Sequence, residues 1–185
     1  MTSVTAGCTG GQRSGTPSPQ ASASAAPSPS TAPAPGKRTR PVDLPLTGVQ
    51  PCDLFTEAVR QRFELQGAPT AGTDERGQPD CQLRSSAQGG YLISAAHSEG
   101  MERFDNIPEQ LATVRRFDLA GYPAAELRDV NQPFACLIGI DVADGQHLGV
   151  YVSDAPRGGT RDEICRNAVT FAEAVLASLR QRLGR

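Results

Sequence analysis

The sequence predicts an α+β domain, an antiparallel sheet flanked by an N-terminal and a C-terminal helix. Three observations carry that prediction. Phe134, Cys136, Ile138, Ile140 and Val142 put an apolar side chain at every second position, the period of a strand with one buried face. Ala143-Asp144-Gly145-Gln146 then reverses the chain, Asp-Gly being a strong hairpin signal, and Leu148, Val150 and Val152 answer on the return strand. Finally, Thr160-Arg161-Asp162-Glu163 spells a capping box. Behind it Ile164, Ala168, Phe171, Val175, Leu179 and Leu183 form one stripe at helical spacing. A sheet with helices gathered at its ends is an α+β sandwich.

The other elements follow in chain order. Thr56 can cap a helix over Glu57–Phe63, with Glu57 in the favourable first turn and Phe55, Val59 and Phe63 on its apolar edge. Gly67 to Pro79 is rich in turn residues and reads as a surface loop. Cys81 to Ala96 reads as two strands broken at Gln88-Gly89-Gly90, with Tyr91, Ile93 and Ala95 on one face. Asn106 to Arg115 is expected to be helical, Pro108 near its start and Leu111 and Val114 facing inward. Phe117 to Leu119 is too short to assign.

Composition divides the 185 residues unevenly. Residues 1–41 are Ser, Thr, Ala, Gly and Pro with scattered cations, and such a tract cannot bury enough apolar surface to offset the entropy of ordering. It carries Arg13, Lys37, Arg38 and Arg40 and no acid, while the remainder is net negative by 6. Residues 42–185 are therefore read as the single folded domain. An acidic domain with no basic stripe and no Trp argues against a nucleic-acid partner. The Lys37–Arg40 cluster reads as a solvated linker end.

Cys8 stands apart. Thr5, Ala6 and Gly7 precede it and the polar tract from Thr9 to about Pro41 follows. Small residues, a cysteine and a flexible tether are how a bacterial lipoprotein begins its mature form, the thiol taking a diacylglycerol. A secretory signal needs an apolar run of about 7–15 residues before the cleavage point, and Met1–Gly7 hold none. The expectation is that the true start lies upstream; the alternative is that Cys8 is an incidental residue in a disordered tail. The other cysteines, Cys52, Cys81, Cys136 and Cys165, form an even set suited to disulfides in an exported domain. Four cysteines allow three connectivities, and no C-x-x-C pair marks a redox or zinc motif.

Taken together, the tether, Leu46-Thr47-Gly48-Val49-Gln50-Pro51-Cys52, the second cysteine, Gly121-Tyr122-Pro123-Ala124, and Glu163-Ile164-Cys165-Arg166-Asn167-Ala168 resemble the actinobacterial lipoproteins of domain-of-unknown-function family 3558. The resemblance runs from about Leu44 to Leu183. It implies secretion, a lipid anchor at Cys8 on the outer face of the cell membrane, and pairing of Cys52 with Cys81 and of Cys136 with Cys165. It supplies no reaction. Members often carry Trp where this chain has Leu83. The order of elements is also similar to the Mog1/PsbP-type sandwich, a likeness of fold that does not determine function.

Catalytic candidates are few. His97 lies near Ser94, Ser98 and Glu99, and His147 follows the Asp144-Gly145 turn. With no G-x-S-x-G elbow, both are read as surface histidines rather than bases. Asp141 and Asp144 near His147 make a poor metal set, since hairpin neighbours rarely converge. Arg157-Gly158-Gly159-Thr160 lacks the lysine and spacing of a phosphate loop and reads as a turn and cap. The expected function is a monomeric, non-enzymatic envelope module that binds an unknown protein or small molecule, without cofactor or metal. The alternative is an envelope hydrolase using His97 or His147.

Overall fold

The computed structural model describes residues 39–86, 89–153 and 159–185. Cys8 and all but residues 39–41 of the tether lie outside them, as do Gln88, Arg157 and Gly158. The described residues begin with a strap over residues 39–49. Leu44 and Leu46 are fully buried, and the Leu44 amide donates to the Val142 carbonyl at 2.7 Å. A single 3₁₀ turn at Pro51–Leu54 and helix α1, Glu57–Arg62, follow. Thr56 caps α1, its hydroxyl accepting from the Val59 amide.

Among the described residues seven strands then form one sheet: β1 Leu65–Thr73, β2 Pro79–Ser85, β3 Gly90–Ala96, β4 Ala112–Leu119, β5 Tyr122–Asp129, β6 Ala135–Ala143 and β7 Gln146–Ser153. Their order is β1-β2-β3-β7-β6-β5-β4, with every described pairing antiparallel. Helix α2, Arg161–Arg182, closes the chain. The expected α+β class is correct, and the Asp144-Gly145 reversal and the Thr160/Glu163 capping box are both present.

Three sequence expectations fail. The stretch Gly67–Pro79 is mostly strand β1, not loop. It escaped the pattern because it is an edge strand exposed along most of its length, so nothing enforces alternation, and Pro69 sits where the register shifts between Gln66 and Thr70. The proposed helix Asn106–Arg115 is instead one turn closed by Leu111 and Ala112 amides on the Pro108 carbonyl, followed by β4. Thr113, Val114 and Phe117 favour a strand, and pairing with β5 overrides the weak helical spacing. Phe134 does not continue the buried face of β6: it precedes the strand and is exposed. Strand β5 had no prediction, because alanines, an acid and an arginine give no clean alternation. Its hairpin with β4 turns on Ala120 and Gly121, both at positive φ (52° and 89°), as a two-residue turn with primed twist requires.

One face of the sheet forms the core. Ile138, Ile140, Val150 and Val152 meet the α2 stripe of Ile164, Ala168, Phe171 and Val175, all buried. Phe55, Phe63 and Tyr91 gather round Phe171, with ring centroids 5.9, 5.0 and 4.9 Å from it. Edge-to-face aromatic contacts add about 0.5–1.5 kcal/mol each beyond burial. Two disulfides staple this side, Cys52 to Cys81 and Cys136 to Cys165. The first ties the Pro51–Leu54 turn to β2, and the second ties β6 to α2. Leu83 is buried in the same core. No described helix is long and apolar enough to cross a membrane.

Candidate functional site

Among the described residues no α-helix covers the opposite face of the sheet, so its outward residues determine what it can touch. Alternation puts Leu137, Gly139 and Asp141 of β6 outward, beside His147, Gly149 and Tyr151 of β7. A 3₁₀ turn, Met101–Phe104, crosses this face and seats the buried Phe104 ring on Gly139. A Cβ at Gly139 would stand 2.5 Å from the ring's Cζ, so only glycine leaves room. Arg103 and Arg116 lie over the same ring at 5.3 and 5.8 Å, and His147 meets it edge-on at 5.5 Å.

Beyond Phe104 the chain lifts away and leaves a cleft of about 320 Å³. Leu127, Leu137 and Tyr151 line its sheet side, with Ile107, Leu111 and Arg103 among the residues opposite. The three large hydrophobic side chains that are exposed among the described residues, Leu111, Val130 and Phe134 (50, 47 and 51 %), belong to segments bordering this cleft. The Val130 amide donates to the Leu111 carbonyl, holding those two together. Arg161 at the start of α2 bonds the Pro133 and Asp129 carbonyls, which steadies the loop bearing Val130 and Phe134. Tyr151 donates to Gln132 Oε1 at 2.6 Å, and its hydroxyl is pushed above its usual pKa by burial and by Asp129. It also lines a second cleft, of about 360 Å³, edged by Gln66, Thr70, Gln82 and Arg84. Scattered exposed apolar residues need no explanation, but one on a cleft with two more on the segments beside it does. Sequence reasoning missed this place: Leu111 was expected inside a helix and Phe134 inside a strand.

The histidines part company. His97 is exposed, its Nδ1 3.3 Å from the Ala95 carbonyl. His147 is not a surface residue: it is 2 % exposed, and its Nδ1 lies 2.7 Å from the Glu99 carbonyl. Burial holds its pKa below the ordinary value, outweighing the Glu99 carbonyl contact. The described bonds of both rings run to backbone carbonyls, not to a nucleophile.

Asp141 and Asp144 do converge, but on Arg40. Its guanidinium donates to Asp141 and Asp144 at 2.6 Å and to Asp43 at 2.8 Å. Burial opposes the Arg40 charge, yet the three carboxylates more than compensate and raise its pKa. Arg40 is thus not a solvated linker residue: it clasps the strap to the β6–β7 turn. Burial raises the Asp141 pKa against the pull of Arg40.

A third cluster joins Glu126, Cys136 and Cys165, whose ligand atoms lie within 4.8 Å of one another. The two sulfurs form the disulfide, so no thiolate is offered to a metal. Glu126 is 2 % exposed and accepts from Arg115 Nη2 at 2.6 Å and Arg128 Nε at 2.7 Å.

A family model described as a protein of unknown function (DUF3558) matches residues 3–178. No curated protein and no solved structure matches the chain.

Proposed function

The chain belongs to the DUF3558 family, and from that membership we propose that it is a lipid-anchored, extracytoplasmic binding module, acylated at Cys8, which receives an apolar surface of an envelope protein in the cleft beside Leu111. The observation that carries the binding role is the exposure of Leu111 on that cleft together with Val130 and Phe134, which are chain neighbours of its lining residues Asp129 and Ala135. At about 320 Å³ the cleft is at the small end of the 300–1,000 Å³ range of small-molecule pockets. Exposed apolar side chains around a cleft of that size suit inserted side chains of a protein partner. Two disulfides fit an oxidising compartment, and the Pro/Ser/Ala tract after Cys8 suits a tether.

The cleft and the strap lie at opposite ends of β6. Arg40, where the strap meets the sheet, sits at the Asp141–Asp144 end of β6, whereas Phe134 precedes its other end. Nine residues of strand separate the two by about 30 Å at 3.3 Å per residue.

The test is complementation of a strain lacking the gene, with mass spectrometry of the membrane-bound chain. His97→Ala should restore the envelope phenotype. Cys8→Ala should release the chain into the medium without an acyl group, and Leu111→Ser with Phe134→Ser should be secreted, folded and inactive. Full function of the Leu111/Phe134 variant would overturn the binding site. A membrane-bound, unacylated wild type would overturn the anchor, and failure of His97→Ala alone would favour the hydrolase.

A further inference from the structure

A different recess, independent of the apolar cleft, lies where β4 and β5 meet the first turns of α2. It measures about 390 Å³ and is lined by Arg115, Arg128 and Arg166, with Asp162 and Thr170 beside them. Glu126, almost wholly buried, also lines it, on the strand that carries Arg128.

A carboxylate so deeply placed is costly unless cations pair it. Here it grips one nitrogen of Arg115 and one of Arg128. The bonds orient both guanidinium planes, while Phe117 supports Arg115, whose Cζ is 4.8 Å above the ring centroid. Among the described residues no acceptor takes Nε or Nη1 of Arg115. Arg128 spends Nη1 on Asp162 at 2.5 Å, and Asp162 is largely exposed. Arg166 comes from α2 and is exposed beside them. Among the lining residues three cations face two carboxylates, with Glu163 of α2 also acting on Arg166 from outside the recess, in a domain otherwise net negative. Preoriented guanidiniums of this kind match the oxygens of phosphate, which they bind through paired N–H donors.

We propose that this recess is an anion site for a phosphate group, gripped by Arg115, Arg128 and Arg166, with Asp162 as a competing lid that the anion displaces from Arg128. An exposed ion pair costs little to open, so Asp162 can yield. Glu126 holds the two arginines in position and does not touch the ligand.

The assay is titration of the full chain, labelled at arginine Nε, with inorganic phosphate, against chloride at equal ionic strength. Arg115, Arg128 and Arg166 signals should move together and saturate with phosphate only. Arg166→Ala should weaken binding about tenfold, the loss of one charge-assisted contact, while Asp162→Asn should tighten it several-fold. Neither residue belongs to the buried Glu126 pairing, so both variants should fold. Vesicles of phosphatidylglycerol and of phosphatidylcholine separate the sources: flotation with the former alone, lost in Arg166→Ala, means a lipid headgroup. Saturable phosphate binding without flotation means a soluble phosphate compound. Shifts that never saturate, together with no flotation, overturn the site, as does equal affinity in wild type, Arg166→Ala and Asp162→Asn.

Discussion

Replacing Cys136 and Cys165 together by alanine opens a loop with a sequence separation of 29, and replacing Cys52 and Cys81 opens another of the same separation. Loop-closure entropy therefore assigns both bridges the same value, about 3.6 kcal/mol at 25 °C. Burial separates them. Cys136 and Cys165 are each 1 % exposed, whereas Cys52 is only partly buried beside a fully buried Cys81. Removing a buried sulfur also forfeits packing, about 1 kcal/mol for an atom of that size. The Cys136/Cys165 variant should thus lose about 1 kcal/mol more than the Cys52/Cys81 variant, against a total stability of about 5–15 kcal/mol for a domain of this kind. Urea denaturation of the two double variants, extrapolated to water, measures both losses directly. A larger loss at Cys52/Cys81, or a loss under about 1 kcal/mol at either bridge, would refute the reasoning.

Three further outcomes follow from the charged groups. Glu126→Gln should cost about 1.5–3 kcal/mol in denaturant titrations by weakening two charge-assisted bonds. Burial raises the Glu126 pKa, but Arg115 and Arg128 outweigh it and the net shift is downward. Its contribution is therefore complete above the ordinary carboxylate range and disappears as pH falls through the lowered value, and Glu126→Gln should flatten that acid limb. For His147 the folded-state pKa is also lowered, first by burial. Below about pH 6.5 the unfolded chain takes up a proton that the native ring resists, so stability should decline from neutral pH towards pH 5. His147→Asn should remove that part of the slope in thermal melts. Arg40→Ala should leave most of the domain intact but loosen the strap. Hydrogen exchange at the Leu44 amide, which bonds Val142, should quicken about tenfold, equivalent to about 1.4 kcal/mol. An unchanged rate there would mean that Leu44 and Leu46 hold the strap without the clasp.

What could be read from sequence tracks how strongly a local rule was expressed. The β6–β7 hairpin was legible because Asp144-Gly145 interrupts a buried alternation, and α2 because its cap and its stripe agree. Strand β1 was illegible because an edge strand has little burial to impose a period. Strand β5 was illegible for the opposite reason. It lies between β4 and β6, where Ala124 and Ala125 are both buried and the pattern blurs. The apolar cleft was invisible because its members, Leu111, Leu127, Leu137 and Tyr151, come from four separate places in the chain.

Sequence alone determined the α+β class, the hairpin, the capped terminal helix and the polar tract after Cys8, since each rests on neighbours in the chain. Tertiary structure alone decided the roles of the charged and apolar residues. Arg40 became a clasp because two aspartates about a hundred positions away fold against it, at 2.6 Å each. Glu126 stays charged inside the protein because two arginines reach it across adjacent strands and along its own. Leu111 and Phe134 face outward because neither pairing nor packing closes over them. Burial and charge partnership are properties of distant contacts, which local pattern does not record.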